Sequence, residues 1–537
     1  MANDFVWWRD GIIYQIYPRS FKDSNHDGFG DLPGILSRLD YFKDLGVDAI
    51  WLSPIYPSPD KDFGYDVSDY VDIDPRYGTM QDFDSLIHEA HSRNIRIIMD
   101  LVLNHTSDRH PWFIQSRSSR DNPFRDWYIW HRGKPNGKLP NNWQSHFGGD
   151  GWELDPLTGE YYFHMFTKDQ PDLNWHNPEV RKAILDVFRF WLDKGVDGFR
   201  LDVFNAYFKD AELRDNPPAI GLRGFDRQKH IRDIDQPEMI PLLAEIRNLV
   251  DGYGDRYVVG ETFLSAPAIA VQYTRNDRLH AAFNFTMLAQ PWNAQKFSKA
   301  ITDWEELNQG EHWPNHVLNN HDNPRTSTRY HFNGDDQLLK TTAVLMMTLR
   351  GTPFLYHGEE IGMRDIDLSR DEIQDPPGKK YWPFYKGRDG CRSPMQWNDD
   401  IYSGFSDTKP WLPVHPGYVQ RNVESQSKDP TSLLNLYKEM IQLRRSLPVL
   451  QHGSFQSIPG LPSQVLAYRR YLDGKSILVL LNFQLKPVNC YLPGDIDLTN
   501  AKLLINSIPL QPPAIPAQRN IKLNPGQSLI FDLTPNK

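Results

Sequence analysis

Cysteine is almost missing from this chain. Only Cys391 and Cys490 occur in 537 residues, which excludes a disulfide framework and a cysteine-rich zinc site. A basic excess is missing too. Lys and Arg total 59 against 69 Asp and Glu, for a formal net charge of −10. Nucleic acid is therefore not the expected partner, because phosphate binding draws on a basic surface. No apolar run approaches the roughly 18 residues that a membrane span needs. The opening MANDFVWWRDG has neither a basic start nor an apolar stretch of the secretory type. The expectation is a soluble cytoplasmic protein with no membrane partner.

Bulk and aromatic mass are what the chain does have. Its length predicts about two to four domains. Hydrophobic residues make up 39%, enough for a large core. Aromatics reach 13%, with 16 Trp. They can fill that core, or offer flat apolar faces to sugar rings.

Short β-branched runs alternate with helix-length segments. Eight strand candidates stand out: 11–18, 49–54, 96–103, 198–203, 257–262, 281–285, 316–321 and 353–358. Helical patterns such as 178–193 and 237–251 lie between several of them. Strands alternating with helices imply a parallel sheet. Eight buried, non-alternating strands predict an α/β fold of the (β/α)₈ TIM-barrel type, with a doubly wound open sheet as the rival. Residues 104–175 are rich in Asn, Gly, Trp and Pro, and contain one strand pattern at 161–166. This is a loop-rich insertion after the third strand, of the kind that builds an active face. Residues 1–103 and 176–452 then form the barrel domain. From about 453 to 537 the chain alternates and turns often, as an all-β sandwich domain would.

A barrel enzyme carries its chemistry at the C-terminal ends of the strands. The third candidate ends in Asp100 and Asn104-His105, and the fourth carries Arg200 and Asp202. The fifth ends in Glu261, and the seventh in Asn320-His321-Asp322. Acids converging on one mouth fit glycoside hydrolysis. One carboxylate attacks or stabilises the anomeric carbon, and a second, protonated at rest, protonates the leaving oxygen. Arg200 and Asp202 point to the same side of a strand, so a charge-assisted pair is expected to keep Asp202 ionised. Glu261 follows Val258 and Val259 and has no adjacent base, so burial is expected to raise its pKa. These residues leave retaining and inverting chemistry both open.

DLVLNH (100–105), GFRLDV (198–203), GETF (260–263) and NNHD (319–322) stand in order, with QPDLNW at 170–175. This set resembles the α-amylase family, glycoside hydrolase family 13. It is most similar to the family's α-glucosidase and oligo-1,6-glucosidase branch. FGYDVSDY (63–70), YHGEEIGM (356–363) and CRSPMQW (391–397) are similar to that branch as well. The resemblance implies Asp202 as nucleophile, Glu261 as acid/base, and Asp322 gripping sugar hydroxyls and favouring the transition state. His105 and His321 would bind hydroxyls of the same sugar. Arg200, helped by Asp100, would orient Asp202. It further implies a retaining, exo-acting enzyme on small oligosaccharides or disaccharides. Asp62 and Arg392 would clamp the terminal glucose, with Arg388 the alternative arginine. Tyr65 would stack on that sugar, and Phe147 and Phe166 would line the next sugar site. Val203 accompanies α-1,6 hydrolysis in that branch, but VFNAYF (203–208) and the stretch 212–228 depart from its pattern. Linkages α-1,6 and α-1,4 both stay open. Transglucosidase or sucrose isomerase chemistry through the same intermediate is the alternative.

Asp23, Asn25, Asp27, Phe29 and Asp31 place oxygen donors at alternate positions, with Gly28 at the turn. This matches the first nine positions of an EF-hand loop, although Gly34 stands where the bidentate Glu belongs. In the branch resembled, the matching loop holds Ca²⁺. The resemblance implies a structural Ca²⁺ site here, the Phe29 carbonyl included, with Mg²⁺ as the other candidate.

Overall fold

Seven parallel strands make the central sheet. Their order is Phe354–Tyr356, Ile13–Ile16, Ala49–Leu52, Arg96–Leu101, Gly198–Leu201, Tyr257–Gly260 and Ala281–Ala282. The computed structural model describes residues 5–275, 277–308, 312–332, 335–508 and 519–534. The first four residues of the N-terminal stretch, and 509–518 and 535–537 of the expected β domain, lie outside them.

The sheet curls onto itself. Ile13, Trp51, Ile98, Val259, Phe283, Val317 and Phe354 belong to one buried cluster, although they come from both edges and the middle of the sheet. An open doubly wound sheet cannot bring its two edges into one cluster. The fold is therefore the (β/α)₈ barrel, and the open-sheet rival is excluded. The inward positions recur at every second residue, as strand geometry requires. Asp100, two residues past Ile98 of that cluster, pairs in register with Arg200. A charged layer thus caps the apolar one on this side of the barrel.

The segment 316–321 differs from expectation. It is held to its neighbour by a single parallel bridge between Asn284 and His316. Its asparagines divert the chain into a turn: Asn319 Oδ1 accepts from Thr326 N–H at 2.7 Å and Asn320 Oδ1 from Asp322 N–H at 3.0 Å. Such side-chain bonds compete with a ladder.

Helix Pro178–Asp193 shows how the outer layer forms. Asn177 caps it and Pro178 opens it, while Val180, Ile184, Phe188 and Trp191 form its buried stripe. The insertion carries a three-stranded sheet of Trp130–His131, Glu160–Phe163 and Trp152–Asp155, where one strand was expected. The two extra strands are short and poor in β-branched residues, so pairing rather than propensity makes them. The C-terminal region has a five-stranded sheet and a two-stranded sheet. Leu478, Leu480, Leu529 and Phe531 meet Cys490, Ile521 and Leu523 in its core. Tyr468, Val479 and Ile530 on the other face join the main core. Among the described residues, no helix is long and apolar enough to cross a membrane.

Candidate active site

One buried guanidinium organises the mouth of the barrel. Arg200 Nη1 donates to Asp100 Oδ1 and to Asp202 Oδ1, each at 2.7 Å, and Nη2 donates to Glu261 Oε2. A single cation therefore serves three acids. Burial pushes the Asp202 carboxyl well above its ordinary range, with Arg200 opposing. Burial likewise raises Asp100 to about 6. The expected Arg200–Asp202 pair is present and favours the ionised carboxylate, but burial works against it. The guanidinium is divided three ways, and its share does not offset the loss of water.

Asp322 has the opposite surroundings. Arg392 Nη2 lies 2.9 Å and Arg388 Nη1 3.3 Å from its Oδ1. Burial opposes ionisation, but the charges of Arg388 and Arg392 hold this carboxyl well below the usual range. His321 itself is pushed down to about 3 by burial, so it is neutral. Gln15 Nε2 donates to His321 Nδ1 at 2.7 Å, which leaves the proton on Nε2. Nε2 donates to the Tyr65 hydroxyl at 2.6 Å, and Tyr65 donates to Asp100 Oδ2 at 3.1 Å. This relay ties the two halves of the charged layer together.

The ion pair expected of Asp62 with Arg392 forms with Arg388 instead. Arg388 Nη2 lies 2.6 Å from Asp62 Oδ1 and 2.7 Å from Asp375 Oδ1. Arg392 is fully buried, and its Nε donates to the His321 carbonyl at 2.8 Å. It supports Asp322 from below the cavity floor. The two arginines are four residues apart on one turn, and sequence spacing does not separate them. Asp375, which holds Arg388, went unnoticed because an Asp before Pro376 reads as a turn residue.

A cavity of about 930 Å³ opens here. Asp62, Tyr65, His105, Phe147, Phe166, Asp202, Val203, Glu261 and Asp322 line it, together with Arg388. Arg200, His321 and Arg392 lie behind that wall. The Tyr65 ring, expected against a sugar, stacks on His321 at 5.4 Å and 4° while it borders the cavity. His105 Nε2 meets the Tyr65 carbonyl at 2.9 Å. Phe147 and Phe166 meet edge to face at 5.6 Å and pack in one cluster with Val203. They are core and cavity wall at once. Val203 sits at φ 34°, ψ 38°, in the left-handed region that β-branched residues avoid. Strain of this kind costs about 1–3 kcal/mol and persists where the surroundings enforce it. Here the Val203 N–H faces Glu261 Oε2 at 3.3 Å.

The insertion reaches the same site. Gln170 Nε2 lies 3.2 Å from Asp62 Oδ2. Asp172 pairs with buried Lys209 at 2.8 Å, and Lys209 also donates to Asn104 at 2.9 Å. Lys209 carried no signal in the sequence beyond being a lone lysine after the fourth strand.

The loop expected to bind Ca²⁺ is folded on its own backbone. Asp23 Oδ1 accepts from Asn25 and His26 N–H, and Oδ2 accepts from Gly28 N–H at 2.9 Å and from the Ser406 hydroxyl at 2.5 Å. Asp27 Oδ1 accepts from Phe29 N–H at 2.8 Å. Asp31 caps the following helix through Gly34 N–H at 2.6 Å. Among the described residues, no group of three or more His, Cys, Asp or Glu is placed to hold a metal.

Known proteins match this chain along nearly all of it. The α-amylase catalytic-domain model matches residues 15–453. An oligo-1,6-glucosidase of Parageobacillus thermoglucosidasius is 41% identical, with 98% of this chain and 99% of that protein covered. An α-glucosidase of Pediococcus pentosaceus is 38% identical, with 99% and 100% covered. The crystal structure of an α-glucosyl transfer enzyme superposes with a TM-score of 0.94 at 39% identity, covering 98% of this chain and 100% of that one. Agreement of this extent, on a barrel of this topology, leaves one assignment: the chain belongs to the α-amylase family of glycoside hydrolases, family 13.

Proposed function

We propose that this enzyme is a retaining, exo-acting α-glucosidase that removes glucose from the non-reducing end of short α-glucosides. The observation that carries this is the shared Arg200 guanidinium, which touches both Asp202 and Glu261 inside a cavity bordered by the Asp62–Arg388 pair. An Asp202 oxygen attacks the anomeric carbon as the bond to the leaving oxygen breaks, and Glu261 gives that oxygen its proton. Water then gives a proton to Glu261 and attacks the same carbon, which releases Asp202. Negative charge leaves Asp202 and builds on Glu261 in the first step. Arg200 contacts both carboxylates and can follow that charge without moving. Asp322, held ionised by two arginines, supports positive charge on the sugar ring. The Asp62–Arg388 pair supports an end-on mode, because it blocks one side of the terminal sugar.

The wall beside the nucleophile, Val203, supports α-1,6 cleavage alongside α-1,4. Glucose release measured side by side from isomaltose, maltose, sucrose and trehalose is the test. Glucose from both isomaltose and maltose is expected. Exclusive maltose cleavage would remove the α-1,6 reading, and no glucose from any of the four would overturn the proposal. A second reading is transfer of glucose to another alcohol through the same intermediate, which the likeness to an α-glucosyl transfer enzyme favours.

Ca²⁺ at the 23–31 loop belongs to the same proposal. Its donors are all oxygen, the set a hard cation takes. Buried Asp23 and Asp31 form no ion pair within 4.0 Å among the described residues. Binding would require these carboxylates to turn from the backbone toward the ion. Calorimetry in millimolar Ca²⁺ is expected to give a higher Tm than in chelator, with Mg²⁺ giving less. Equal Tm values in all three would dismiss the metal.

A further inference from the structure

The cavity changes character toward its open end. Leu222, Leu264 and Phe384 line it there with 92%, 60% and 97% of their surface exposed. Exposed apolar side chains gathered at one mouth mark a binding surface. Leu264 is held there against its backbone preference, at φ 56°. Asn205 enforces this by donating to the Phe263 carbonyl and accepting from the Phe263 N–H, each at 2.8 Å. Leu264 also lies three residues past Glu261, on the loop that follows the proton donor. Leu222 rides on a loop anchored by Phe225, whose ring stacks on His230 at 3.8 Å and meets His146 edge-on at 4.9 Å. The rim is thus built, and its apolar groups border the mouth of the cavity that holds Asp202 and Glu261.

The Ser and Thr hydroxyls and the arginines of the lining are already engaged. Ser265 donates to Asp235 at 2.7 Å, Thr262 to the Phe283 carbonyl at 2.9 Å, and Thr286 to Asn284 at 2.5 Å. Arg223 is paired with Asp226 at 2.8 Å, and Arg388 with Asp62 at 2.6 Å. No arginine of the lining is free for a phosphorylated or acidic leaving group, and its Ser and Thr hydroxyls are turned to the protein. A second sugar, which carries several hydroxyls, would find no unengaged Ser or Thr hydroxyl and no unpaired arginine there.

We infer that the open end is an apolar aglycone and acceptor site, which favours an alcohol or phenol with an alkyl or aryl body over a second sugar. The inference rests on the α-glucosidase reading and names the leaving-group class of that same site. In cleavage, the C1–O bond of the alkyl or aryl α-glucoside breaks, the Asp202–C1 bond forms, and Glu261 protonates the departing alkoxide or phenoxide. In transfer, an incoming alcohol gives its proton to Glu261 and its oxygen bonds to C1, as Asp202 departs.

The test compares methyl, butyl and hexyl α-glucosides, whose leaving groups differ little in acidity and mainly in apolar reach. The kcat/KM ratio of hexyl to methyl is expected to be at least about tenfold, roughly what two buried methylenes supply. The ratio should fall to within about threefold in the combined Leu222→Ser, Leu264→Asn, Phe384→Ser variant, which removes that apolar contact. Asn suits the left-handed backbone at 264, and the ratio does not depend on how much of the variant folds. A native ratio within about twofold, or a ratio untouched by the substitutions, overturns the inference. The native chain-length series decides it even if the variant fails to fold. If maltose and isomaltose are cleaved but the alkyl glucosides are not, this inference alone fails. If no α-glucoside is cleaved, the α-glucosidase reading fails and takes it along.

Discussion

Replacing Asp202 with Asn is expected to lower kcat/KM for glucose release by at least about 10⁴-fold, as loss of a covalent nucleophile does in other enzymes. The amide has nearly the same shape but is a far poorer nucleophile. The fold should not suffer. Arg200 now serves Asp100, Asp202 and Glu261 at once, and burial already pushes Asp202 upward. Removing one of three acids around one cation relieves that competition. The variant should therefore melt at or above the temperature of the native protein. Site strain of this kind is commonly retained for activity at a cost in stability. Kinetics and calorimetry on the same preparation check both halves. A loss below about 100-fold would mean that Asp202 assists the chemistry without bonding to the sugar.

Glu261→Gln is expected to have an effect that depends on the leaving group. General acid catalysis contributes about 10²–10⁴-fold when the departing group is basic. Loss should be about 10³-fold on methyl α-glucoside, and less than about tenfold on a glucoside of an acidic phenol, which leaves without a proton. Glu261 is the most accessible of the three acids around Arg200, its side chain 14% exposed against 0% for Asp100 and 9% for Asp202. That position suits a group that exchanges protons with water between the two steps. An equal loss on both substrates would show that Glu261 positions Arg200 and does not donate the proton.

The barrel was legible because its strands are buried, non-alternating apolar runs bounded by turn residues and separated by helix-length segments. The run 316–321 looked the same by composition. It failed as a strand because Asn319 and Asn320 bond to the chain beyond it. The carboxylates at the strand ends were legible as chemistry, and the ordered motifs gave them expected roles. The structure gathers Asp202, Glu261 and Asp322 around one cavity. Charge sharing was not legible. Two residues of spacing suggested a private Arg200–Asp202 pair, whereas the two ends of one guanidinium reach three acids from three strands. The choice between Arg388 and Arg392 was equally hidden, since it depends on which one Asp375 steers toward Asp62. The rim leucines gave no signal, because a surface leucine in a loop has no pattern until the loop is folded.

Trapping tests the covalent role of Asp202 most directly. A fluorinated α-glucosyl donor, whose second step is slow, is incubated with the native enzyme, which is then digested and mapped by mass. The prediction is one fluoroglucosyl unit on the peptide that contains Asp202. An adduct on any other residue, or no adduct while the donor is hydrolysed with inversion, would contradict it.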